Sequence, residues 1–135
     1  MSVQAKPPAL KIDHLTLLVG SLEASMPHYE ALLPLLGFSK KRDHVWTDGF
    51  GFFFQFAEAR PDTQPYERYG AGMNHLGFAA PDVATVHRVR DSLAAAGFPV
   101  PDIQRLGAQT ALFLKDPDGI RFEVTYSPPG KDPVD

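Results

Sequence analysis

The sequence predicts an α+β fold in which one βαβββ unit is written twice. Three observations carry this reading: strands with alternating apolar residues, one apolar helical stripe in each half, and landmarks that recur at a constant offset. His14 matches His75 61 positions on, and Gly37-Phe38 matches Gly97-Phe98 60 positions on. Gln55 and Glu123 also correspond, each four residues after a glycine, Gly51 or Gly119. The boundaries that follow are module one at about 11–58, a linker at about 59–72, module two at about 73–127 and a loose tail at 128–135, all within one domain spanning 1–135.

Ile12 to Val19 alternates β-favouring residues, with Asp13, Leu15, Leu17 and Val19 on one face and Ile12, His14, Thr16 and Leu18 on the other. Ser21 to Leu36 then sets Leu22, Met26, Tyr29, Leu33 and Leu36 on one helical stripe. Pro27 is tolerated if the regular helix starts near Ser25, Pro34 should fray it, and Gly37 ends it. Phe38 to Ala57, broken by Asp48-Gly49 and Gly51, reads as two or three short strands, the last beginning at Phe52. Residues 59–72 are rich in Pro, Gly and charge and read as the linker.

The order then repeats. Met73 to Ala80 is a strand with a histidine, Asp82 is a helix N-cap, and Val83, Val86, Val89 and Leu93 form a stripe closed by Gly97. Thr110 to Lys115 reads as a strand, Asp116-Pro117-Asp118-Gly119 as a turn, and Ile120 to Tyr126 as the last strand. In that strand Ile120, Phe122, Val124 and Tyr126 should meet a helix, while Arg121, Glu123 and Thr125 face the other way.

Composition narrows the function classes. A chain of 135 residues with 44% hydrophobic and 21% charged residues can bury one substantial core. Its net charge of -3 arises from scattered residues apart from Lys40-Lys41-Arg42, so no nucleic-acid partner is expected. The absence of cysteine excludes disulfides, thiolate metal sites and cysteine nucleophiles. Apolar runs such as LTLLV and FGFFFQF are too short for a membrane span, and MSVQAKPPALK has no signal-type apolar region, so a cytoplasmic protein is expected.

The candidate chemistry lies on one set of strand faces. If both halves curve alike, His14, Gln55, His75 and Glu123 converge there as an N/O donor set suited to one divalent ion among Zn, Ni, Mn, Fe and Co. Copying a module also copies a structural histidine, so the matched histidines show ancestry before they show function. Glu123 is harder to explain as structural. A carboxylate between Phe122 and Val124 must be paired or metal-bound, and Arg121 is the nearby competitor for it. Thr16, Phe53 and Arg121 share faces with these residues and are candidates, with Gln55, to touch a small-molecule substrate. His28 and His87 lie off the helix stripes and are expected to be solvated, and His44 sits in a charged loop.

The segments DHLTLLVGSLEASMPHYEALLPLLGF and NHLGFAAPDV, followed by LAAAGF and FLKDPDGIRFEVTY, resemble the glyoxalase, bleomycin-resistance and extradiol-dioxygenase superfamily, known as vicinal oxygen chelate proteins, over about residues 11–127. The resemblance implies paired βαβββ modules forming a cup-shaped mixed sheet with helices on the outer face, a divalent metal at its base and a homodimer. It assigns the ligand positions to His14, Gln55, His75 and Glu123, with Glu123 also catalytic. That set is similar to the one in methylmalonyl-CoA epimerase and differs from bacterial glyoxalase I, which has a glutamate where this chain has Gln55. The implied activity is a metal-dependent lyase or isomerase acting on adjacent substrate oxygens through a metal-stabilised enediolate. An Fe(II) extradiol-type dioxygenase and non-enzymatic sequestration of the bleomycin-resistance type are the alternatives. The tyrosine and histidine expected upstream of the glutamate in extradiol dioxygenases are not evident in QTALFLKDPDG.

Overall fold

Two four-stranded sheets, each with one helix, make up the fold of the computed structural model, which describes residues 5–134. The start of the N-terminal segment and Asp135 of the tail lie outside the described residues. The first module runs β1 (His14–Val19), α1 (Leu22–Leu35), β2 (Ser39–Arg42), β3 (Val45–Thr47) and β4 (Phe53–Glu58). The second runs β5 (His75–Ala79), α2 (Val83–Ala95), β6 (Gln104–Leu106), β7 (Gln109–Lys115) and β8 (Arg121–Tyr126). Strand orders are β1-β4-β3-β2 and β5-β8-β7-β6, so the duplication read from the sequence is exact in topology. In both, the first strand pairs in parallel with the last and the remaining pairings are antiparallel.

Local signals place the helices. Ser21 caps α1 through an Oγ that accepts from Ala24 N at 3.2 Å, and Asp82 caps α2 by accepting from Thr85 N at 2.8 Å. The α1 helix starts earlier than expected and carries both Pro27 and Pro34 inside it. Its apolar face holds it in place: Met26, Tyr29, Leu32 and Leu33 are buried. Gly37 takes φ 91° beyond its C-cap, where Phe38 N donates to Leu33 O at 3.0 Å. Gly97 repeats the device after α2, and Val86, Val89 and Leu93 are buried as the stripe requires, while Val83 is left at the exposed start.

The helix-covered faces of both sheets share one core. Tyr29 from α1 packs on Phe56 of β4 and Phe122 of β8, with ring centroids 4.5 and 5.4 Å apart, and Phe54 of β4 lies 5.8 Å from Phe122. Phe54, Phe56 and Phe122 are almost fully buried, each worth about 2–3 kcal/mol of transfer free energy. Two polar contacts fix one module on the other. Tyr29 Oη donates to the buried Asp116 Oδ2 at 2.7 Å, and Gly20 N donates to Asp118 Oδ2 at 2.9 Å. The other Asp116 oxygen accepts from Asp118 N and Ile120 N, so the Asp-Pro-Asp-Gly turn is both a hairpin and the docking point for α1.

With the helices at the shared core, the opposite sheet faces point outward. His14, Thr16, Leu18, Gln55, His75 and Ala79 are all exposed on them. Each module carries its own mixed sheet, and among the described residues the two sheets share no strand pairing, as two βαβββ modules of an α+β fold require. In the C-terminal tail, Asp132 O accepts from Gln109 Nε2 at 3.0 Å. Among the described residues no helix is long and apolar enough to cross a membrane.

Candidate metal centre

His14 and Gln55 are neighbours because β1 and β4 run parallel in a register that sets His14 beside Phe53 and Thr16 beside Gln55. Period-two alternation sends Leu15, Leu17 and Val19 toward the core and His14, Thr16 and Leu18 outward. An outward cavity of about 310 Å³ is lined by Asp13, His14, Arg42, Val45, Gly51, Phe53 and Gln55. Thr16 Oγ1 contacts Gln55 Oε1 at 3.4 Å and thereby orients the amide. His14 Nδ1 is engaged by the side chain of Asp13.

The second module repeats this geometry. β5 and β8 set His75 beside Arg121 and Gly77 beside Glu123. His75 Nε2 lies 3.1 Å from Glu123 Oε2, and the other carboxylate oxygen accepts from Thr125 Oγ1 at 2.5 Å. His75 Nδ1 is 2.7 Å from Asn74 Oδ1, and Asn74 Nδ2 donates to Arg68 O at 3.1 Å, which fixes the amide orientation and makes Nδ1 the protonated nitrogen. In the neutral ring the bare Nε2 and a carboxylate oxygen then face each other, two acceptors with nothing to share. That contact is favourable only with a cation between them, either a second proton on the ring or a metal ion. Two ligands bound to one ion at about 2.0–2.1 Å sit at a similar mutual distance, so the spacing of the pair is compatible with shared ligation. The cavity beside it, about 580 Å³, is lined by His75, Leu106, Gly107, Gln109, Phe113, Glu123, Pro133 and Val134.

The structure therefore places the four expected ligands in two pairs on two outward faces, and the single chain does not bring the pairs into one cavity. Among the described residues no group of three His, Cys, Asp or Glu side chains is positioned to hold an ion. Phe53 lines the His14 cavity. Arg121, the expected competitor for the Glu123 carboxylate, makes no ion pair with it among the described residues, and its Nε is buried without a partner. It does not line the His75 cavity. His28, expected to be solvated, is half-buried with its ring 6.3 Å from Phe98, and burial lowers its pKa to about 4. Asp13 and Asn74 were not singled out from the sequence. The signal was there, since each immediately precedes its histidine in matching positions, and such partners fix which ring nitrogen remains free to ligate.

The sequence profile described as the Glyoxalase/Bleomycin resistance protein/Dioxygenase superfamily matches residues 11–124. The chain belongs to this superfamily. Solved structures with the same fold include a Bacillus halodurans protein provisionally assigned as a glyoxalase, 23% identical, with TM-score 0.73 over 86% of this chain and 95% of that one. A glyoxalase/dioxygenase from Nostoc punctiforme is 17% identical, with TM-score 0.68 over 94% and 99%. Lactoylglutathione lyase from Agrobacterium tumefaciens is 24% identical, with TM-score 0.62 over 90% and 96%. At these identities the likeness shows the glyoxalase-superfamily fold alone. No curated protein matches the sequence.

Proposed function

We propose that this glyoxalase-superfamily chain is a divalent-metal-dependent lyase or isomerase acting on a small substrate with adjacent oxygens. Its site would be completed between two copies of the chain related by a two-fold axis. His14 and Gln55 of one copy would face His75 and Glu123 of the other, and two such sites form at once because the interface is self-complementary. The observation that carries this reading is the outward pair of His75 Nε2 and Glu123 Oε2, 3.1 Å apart and so at the spacing of two ligands of one ion.

The donor set fits an ion of borderline hardness, two neutral imidazoles with one carboxylate and an amide oxygen. Bound there, a divalent cation would polarise the two substrate oxygens and offset the charge of the enediolate. The chain supplies the rest. Asp13 and Asn74 hold the imidazoles by Nδ1, which leaves the Nε2 atoms to ligate the ion. Thr125 holds Oε1 of Glu123, and Oε2, once it is no longer held as a ligand, would accept a proton from the carbon beside the substrate oxygens and return it to the neighbouring carbon. Gln55, steadied by Thr16, orients a substrate oxygen or a water, and Phe53 covers one side of the cavity.

Elemental analysis of protein purified without added metal tests this directly, with about one divalent ion per chain expected. Chelation should remove it, and His75→Ala should fail to regain it. Glu123→Gln should abolish metal-dependent exchange of solvent deuterium into the carbon-bound hydrogens of hydroxyketone substrates. A chain that takes up no ion under any condition, or a Glu123→Gln protein that exchanges normally, overturns the reading.

A further inference from the structure

The register of the first sheet contains an irregularity that bears on what this site would accept. β2 pairs with β3 as Ser39 to Thr47 and Lys40 to Trp46, a run that would set Lys41 opposite Val45. A bulge intervenes, and Arg42 takes that place instead. Bulges re-aim a side chain, and their frequent position beside active sites reflects that use. The consequence here is a row across the sheet, Thr16, Gln55, Val45 and Arg42, all in register on one outward face.

Arg42 accordingly lines the same cavity as His14 and Gln55 and is the one Lys or Arg among its lining residues. Its neighbour in the same basic cluster is already committed: Lys40 binds Glu30 at 3.2 Å and Asp43 at 3.6 Å. Among the described residues no carboxylate lies within ion-pair distance of Arg42, and the cavity's own acid, Asp13, is engaged with His14. The cavity on the second module has no Lys or Arg in its lining. A site completed from the two would be electrostatically polar, with fixed positive charge at one end only.

We infer that Arg42 is the anchor for an anionic group on the substrate, which makes the substrate class a small molecule with adjacent oxygens and a carboxylate or phosphoryl group. The guanidinium fork binds such groups in a bidentate, planar fashion, and Val45 and Phe53 pack the short apolar stretch between the anion and the reacting oxygens. This rests on the metal-site reading above.

The test uses two bidentate chelating probes, acetohydroxamate and the monohydroxamate of succinic acid, titrated calorimetrically into zinc-treated protein. Wild type should bind the carboxylate-bearing probe more tightly than Arg42→Gln does, by about 10- to 100-fold. Acetohydroxamate should bind both alike, and zinc content should be equal. Lys41→Gln, which removes the same charge from the other residue of the bulge, should behave as wild type. Equal affinity of the carboxylate probe for wild type and Arg42→Gln, or an equal loss in Lys41→Gln, overturns the assignment while acetohydroxamate binding leaves the metal site standing. If neither probe binds and no zinc is held, the metal reading falls and the anchor falls with it.

Discussion

A mixed dimer separates a shared site from one closed within a chain. The perturbation is a pair of variants, His14→Ala in one copy and Glu123→Gln in the other, co-expressed with different affinity tags so that only mixed dimers are recovered. The two residues sit on different outward faces, His14 with Gln55 and Glu123 with His75. In a two-fold assembly, each homodimer of either variant carries a lesion in both sites. In the mixed dimer both lesions fall in one site, which pairs the altered first module with the altered second module. The other site pairs two unaltered modules. Chelator-resistant metal in the purified mixed dimer should therefore be about half that of wild type, against near zero for each homodimer. Elemental analysis and native mass spectrometry read this without knowledge of the substrate. Metal content near zero in a verified mixed dimer would refute the reasoning, because it would mean that each chain supplies all the ligands of its own site.

Two further outcomes follow from the core. Burial holds His28 at a pKa of about 4, below its ordinary 6.5, so the unfolded chain takes up the proton first as pH falls. Its contribution to stability is whole above about pH 6.5 and is lost as pH falls toward 4; between pH 7 and 4.5 wild type should lose about 2–3 kcal/mol more than His28→Leu in urea denaturation of chelator-treated protein. Asp116, whose pKa burial raises, acts in the opposite direction but is common to both proteins and cancels. An equal loss in the two would mean that His28 titrates as an exposed side chain. Tyr29→Phe removes the phenol that donates to Asp116 at 2.7 Å and leaves a buried carboxylate one donor short, at a cost of about 1–3 kcal/mol in the same assay. A cost below about 0.3 kcal/mol would show that water replaces the phenol.

What the sequence disclosed divides along a physical line. Features set within one element were legible: Ser21 and Asp82 as helix starts, Gly37 and Gly97 as stops, and the face that Phe122 and Val124 share against the one that carries Glu123. Each depends on spacing of a few residues, and the duplication offered every one of them twice. The bulge at Lys40 and Arg42 has no such signature, because β2 is exposed along its whole length and either register would satisfy its side chains. β6 escaped notice for the same reason, being three exposed residues at an edge. His28 was misjudged because its cover, Phe98, arrives from the end of the other helix.

The arrangement of the modules was the least legible feature, and it is the one that decides the site. The alternation that sets Phe54, Phe56 and Phe122 on apolar faces does not itself specify how the two sheets pack on one another. The choice is expressed in Tyr29 reaching Asp116 and Gly20 reaching Asp118, contacts 87 and 98 residues apart in the chain. Nothing local to either partner announces them. Once made, they commit both apolar faces to the shared interior and leave every candidate ligand outside it. The outward imidazoles retain a free Nε2 that no neighbour in the chain uses except for the carboxylate facing His75, itself an acceptor. Under the two-copy site proposed above, a second molecule would supply to each outward pair the ligands that its own chain turns to the other face.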